Sequence, residues 1–137
     1  MPSFESIVRK HFAFLKSEFG FVDKFETLGY EKNGLEIDFY YGKGEIDVIF
    51  FVRKSDAIFK PFVSRSFYLF DIARRLKGSK LGRPANIPMS ITSLTDEKYI
   101  DPYLAYCADI MQAHCYAQLD GDLSIFEQIH TSRRASA

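Results

Sequence analysis

Residues 35–52 read Leu-Glu-Ile-Asp-Phe-Tyr-Tyr-Gly-Lys-Gly-Glu-Ile-Asp-Val-Ile-Phe-Phe-Val, and the alternation in this stretch decides the fold class. Successive strand side chains point to opposite sides, so Leu35, Ile37, Phe39 and Tyr41 share one face while Glu36, Asp38 and Tyr40 share the other. Ile46, Val48, Phe50 and Val52 repeat the apolar face, opposite Asp47, Ile49, Phe51 and Arg53. The short Gly42-Lys43-Gly44 link leaves room only for antiparallel pairing, so a hairpin is predicted. Upstream, the segment Lys24–Tyr30 pairs with it through a turn at Asn33-Gly34, giving a meander of three or four strands.

On either side of the meander the period changes to that of a helix. Ser3 is a capping residue, and Phe4, Ile7, Val8, Phe12, Leu15 and Phe19 follow at spacings of three and four, with Gly20 as the C-terminal cap. One amphipathic helix over residues 4–19 is predicted. Past Pro61, Ser66 caps a short helix with Leu69, Ile72, Ala73 and Leu76 inward, ended by Gly78. Residues 78–92 hold two Gly and two Pro and read as a loop. Asp101-Pro102 starts the next helix, which carries Tyr103, Leu104 or Tyr106, Cys107, Ile110, Met111 and His114 to about Leu119. Gly121-Asp122 separates it from a final helix with Leu123, Ile125, Phe126 and Ile129, and the polar tail from Thr131 is expected to fray. The expectation is one α+β domain over residues 1–137: an N-terminal helix, an antiparallel meander, then three or so C-terminal helices packed on the sheet.

A chain of 137 residues can bury about two thirds of its unfolded surface, and 14 Phe and 8 Tyr supply the apolar area in the absence of Trp. The net charge is zero, yet the charges are sorted along the chain. Residues 1–17 carry +2, residues 18–56 carry −4, residues 57–92 carry +6 and residues 93–137 carry −4. Blocks of this kind suit oriented encounters with a charged partner. No apolar run reaches the ~20 residues of a membrane span. The N-terminal stretch from Met1 to Phe12 has no hydrophobic signal core. Cys107 and Cys115 fall in one helical pattern, too far apart for a disulfide, and read as buried thiols. A cytoplasmic protein without membrane contact is the expectation.

Residues suited to chemistry mostly have structural readings. His11 lies at the edge of an apolar stripe and reads as a packed or interfacial imidazole. Cys107, His114 and Cys115 span two helical turns and lack the short hooks of a zinc site, and adjacent helix positions point ~100° apart, so His114 and Cys115 make no nucleophile pair. No catalytic residue, metal or cofactor is assigned. The acids Glu36, Asp38, Glu45 and Asp47 admit a metal-binding or acid–base reading, a bland solvated-face reading, and a third in which they form, with Tyr40, Ile49 and Phe51, a mixed acidic and aromatic docking surface, unless the C-terminal helices cover that face and make the aromatics core. Glu36, Asp38, Tyr40, Glu45 and Asp47 are therefore the candidate partner-binding residues. The alternative is nucleic-acid or anion binding by Arg74, Arg75, Lys77, Lys80 and Arg83, a run dense in bases that fits no phosphate-binding loop.

The order of elements carries a resemblance. The helix ends in Glu18-Phe19-Gly20-Phe21, and a strand follows around Leu28-Gly29-Tyr30-Glu31. The hairpin contains Glu36-Ile37-Asp38-Phe39-Tyr40-Tyr41, a short helix follows Ser66-Phe67-Tyr68-Leu69, and Gly121-Asp122-Leu123-Ser124-Ile125-Phe126 joins the last helical pair. Over most of its length the chain resembles small uncharacterised bacterial α+β proteins found as immunity proteins of polymorphic toxin systems, and it departs from them in the basic, Pro-containing loop at 78–92. The resemblance implies a cytosolic inhibitor that blocks one cognate protein toxin without catalysis, as a monomer or homodimer. It transfers no site residues, because such families share no invariant site. Were the toxin a nuclease, its basic cleft would meet an acidic patch, either the hairpin acids or Asp96, Glu97, Asp101 and Asp109.

Overall fold

A computed structural model describes residues 3–42, 45–53, 66–77 and 97–136. It has the expected α+β architecture. The N-terminal helical segment is followed by a five-stranded antiparallel sheet in the order β1-β2-β3-β4-β5, with C-terminal helices packed on it. The strands are β1 Val22–Asp23, β2 Gly29–Lys32, β3 Leu35–Gly42, β4 Glu45–Val52 and β5 Ser66–Tyr68. Asn33 and Gly34 both adopt positive φ (49° and 87°), the conformation a tight primed turn between β2 and β3 requires. Gly42 pairs with Glu45, closing the predicted hairpin; Lys43 and Gly44, between them, lie outside the described residues.

The alternation of residues 35–52 becomes two faces. Tyr30, Ile37, Phe50 and Phe67 stand in register across β2 to β5 on the inner face and are essentially buried. Helices seal that face with rings. Phe12 meets Phe39 at 4.6 Å, and Phe126 meets Phe50 at 5.5 Å and Phe67 at 5.0 Å. Burial of side chains this size contributes about 1.5–3 kcal/mol each, which makes this face the main source of stability.

Several boundaries differ from the sequence reading. The N-terminal helix is two pieces, α1 Phe4–His11 and α2 Phe14–Ser17, with the chain leaving helical geometry at Phe12. Both ends are capped as expected: the Ser3 hydroxyl accepts from Ser6 N–H, and Gly20 at φ 77° lets Phe21 N–H bond Leu15 C=O. Ser66 is not a helix cap but the start of β5, since residues 66–68 add an edge to β4 and α3, Leu69–Lys77, begins one residue later. A 3-10 turn at Glu97–Tyr99 leads straight into α4, Ile100–His114, so Asp101 and Pro102 sit inside the first turn rather than opening it. Cys115 interrupts the helix, and α5 continues over Tyr116–Leu119. The final helix, α6, spans Ser124–Ser136, so the tail from Thr131 is helical to that point instead of frayed. The loop at 78–92 lies outside the described residues. Among the described residues no helix is long and apolar enough to cross a membrane.

Candidate functional site: the outer face of the sheet

The outer face is built by the same register. Gly29, Asp38, Ile49 and Tyr68 form one row across β2 to β5, Glu31, Glu36, Phe51 and Ser66 a second, and Tyr40 and Asp47 a third. Burial divides this face in two. Glu36 and Asp38 are buried at 2% and 9% exposure, whereas Tyr40 and Tyr68 are about half exposed, at 47% and 48%. Ile49, Phe51 and Asp47 are half-buried and Glu45 is exposed.

The buried acids are held by a lysine. Lys24, in the loop between β1 and β2, pairs with Glu36 and donates to Asp38 Oδ1 at 2.7 Å. Arg53 pairs with the second oxygen of Glu36, and the hydroxyls of Thr27 (3.4 Å) and Tyr40 (3.5 Å) reach Asp38. Burial pulls the Lys24 ammonium down, but the hydrogen bonds it donates to Asp38 and Glu36 outweigh it and the net shift is upward. Gly29 makes room for the cluster: a Cβ there would sit 2.4 Å from Ile37 O and 2.6 Å from Asp38 Oδ1. Of the hairpin acids singled out in the sequence, Glu36 and Asp38 thus form an internally neutralised brace. Asp47 and Glu45 remain at the surface, where burial and then the Glu45 charge push the Asp47 carboxyl upward.

The brace fixes the loop that carries Phe25. Lys24 and Thr27 are both tied to Asp38, and between them Phe25 stands fully in solvent, with Val22 of β1 also exposed at 57%. Phe25 and Tyr68 were not singled out in the sequence. Phe25 sits in a short run without periodicity, and Tyr68 was assigned to a helix start. A lone Phe beside Glu26 in a polar loop was the available signal for the first. Tyr40, Ile49, Phe51 and Tyr68 give the outer face an aromatic and aliphatic surface, with Asp47 and Glu45 on the same face of β4, and Phe25 stands on the loop that precedes β2.

The remaining candidates take structural places. His11 and Lys10 both bind Asp101, clasping α1 to α4, and the bond from His11 followed by that from Lys10 holds the Asp101 carboxyl below its usual range. Asp109 is exposed on α4, and Asp96 lies outside the described residues. Cys107 and Cys115 are fully buried free thiols, each pushed up to about 12 by burial. Among the described residues no three Asp, Glu, His or Cys side chains converge on one point. Of the basic run, Arg74 and Arg75 are exposed on α3, Lys77 closes that helix, and Lys80 and Arg83 lie outside the described residues. Comparison of the chain with protein-family models, with curated proteins and with solved structures found no match.

Proposed function

We propose that this protein is a non-catalytic binding protein of the immunity type, which uses the outer face of its sheet to occlude a cognate protein toxin. The observation that carries the reading is the exposure of three large aromatics, Tyr40 and Tyr68 on the outer face and Phe25 on the loop held by the Lys24 brace. Exposed large aromatics cost solubility unless a partner covers them, and aromatic anchors within a polar rim are the usual anatomy of a protein interface. The buried Lys24 brace supports it further, because anchors held rigid before encounter lose little entropy on binding. Asp47 and Glu45 add negative charge beside the anchors, which selects a partner with a basic surface, as a nuclease toxin would offer.

A photo-crosslinking residue placed at Tyr68 tests the reading in the native cytosol, with the same residue at exposed Gln112 of α4 as control. One protein crosslinked from Tyr68, whose toxic activity the purified chain suppresses, supports the proposal. Crosslinks from Gln112 but not from Tyr68 would place the interface elsewhere and overturn it.

A further inference from the structure

We propose that the cleft between α3 and α6 binds a small phosphate-bearing molecule. This cleft has a volume of about 560 Å³, within the size range of small-molecule sites, and lies on the helical side of the sheet. Its polar wall comes from two distant parts of the chain: Arg74 and Arg75 on α3, and Ser132 and Arg133 on α6. Phe67, Ile72 and Ile129 give it an apolar base, and Asp71 is the one acid among the described lining residues. Among the described lining residues three guanidinium groups stand against one carboxylate, a wall whose chemistry suits an anion such as phosphate.

The donors differ in how they are held. Arg133 is fixed in place: it donates to Ser66 C=O at 2.8 Å and its guanidinium lies 4.6 Å over the Phe67 ring. Arg74 leans on Asp71 at 3.4 Å, a long and exposed pair that an incoming anion displaces at little cost. Arg75 pairs with no acid among the described residues. A planar fork of N–H donors suits phosphate oxygens. Nucleic-acid strands are usually tracked by open basic grooves with exposed stacking aromatics. The aromatic in this cleft, Phe67, is 1% exposed and lies under Arg133, so no ring is open there to stack the bases of a strand.

The test titrates the full chain with inorganic phosphate, pyrophosphate and AMP, following the arginine side-chain N–H resonances and the unfolding temperature. Saturable shifts of the Arg74, Arg75 and Arg133 signals are expected, with affinity falling about tenfold in Arg75→Gln and by less in Arg75→Lys. AMP binding tighter than inorganic phosphate assigns the apolar base to the organic moiety; equal affinities assign the site to the phosphate group alone. Arg75→Gln touches no described partner, so an unchanged unfolding temperature without ligand separates loss of binding from loss of fold. No saturable shift with any probe at millimolar concentration, or unchanged affinity in Arg75→Gln, overturns the proposal. A single-stranded oligonucleotide that displaces AMP with a steep salt dependence would also overturn it, in favour of a polymer ligand.

Discussion

Replacing Lys24 by Met removes the cation that neutralises Glu36 and Asp38 while keeping most of the apolar stem. The side chains of the three groups are 10%, 3% and 12% exposed, so water replaces little of what the ammonium supplies. Breaking a buried ion pair by deleting one partner costs about 3–5 kcal/mol, because a buried charge is left uncompensated. Arg53 remains beside Glu36, but its side chain is 63% exposed and lies away from Asp38, which sets the expected loss at the low end, about 3 kcal/mol. With a urea slope of about 2 kcal/mol per molar, the unfolding midpoint falls by about 1.5 M. A cycle with Asp38→Asn checks the cause: the double variant recovers part of the loss, since the uncompensated charge is gone. The shift of Lys24 is upward, so its stabilisation is fully present below the ordinary lysine value and is lost only as pH rises through the higher folded value. A midpoint shift under 0.5 M, near what an exposed pair such as Lys16–Asp23 contributes, would refute the buried brace.

Three further outcomes follow from the geometry. Gly29→Ala drives a methyl into Ile37 O and the Asp38 carboxylate, and is expected to lower unfolding free energy by about 1–3 kcal/mol in urea titrations. Because Asp101 is held below its usual range by His11 and Lys10, its contribution is present above the unfolded carboxylate value and lost as pH falls through the folded one. Wild type and Asp101→Asn should therefore differ in unfolding free energy by urea titration at neutral pH, by no more than about 1 kcal/mol given the exposure of Asp101, and converge in acid. Cys107 and Cys115, buried and pushed up to about 12, should resist iodoacetamide in the native state near about pH 8 and react once the chain is denatured, a difference read by mass spectrometry.

The fold was legible where a pattern ran long enough to repeat. Sixteen paired positions in β3 and β4 carried their faces in the alternation itself, though not their register, and Asn33-Gly34 named its turn. Ser66–Tyr68 is only three residues, shorter than any period it could display, and a Ser before an apolar run suits a helix cap as well as an edge strand. The candidate site was legible by face but not by burial. Alternation put Glu36 and Asp38 opposite the core, and nothing in it told that Lys24, 14 residues before Asp38, would fold over them. Charge sorting along the chain likewise failed to foretell charge sorting in space: Arg133 belongs to the acidic C-terminal block, yet it joins Arg74 and Arg75 of the basic block in one cleft.

The most direct test of the proposed docking face is the affinity of the captured toxin for wild type and for the double variant Phe25→Ser with Tyr68→Ser, alongside Arg75→Gln as a folded control. Both aromatics are exposed, so their loss should leave the unfolding midpoint nearly unchanged. As anchors of the interface they should cost about 2 kcal/mol or more each, for a combined loss on the order of a thousandfold, while Arg75→Gln binds as wild type does. Equal affinity of the double variant and wild type would contradict the assignment of the outer sheet face as the docking surface.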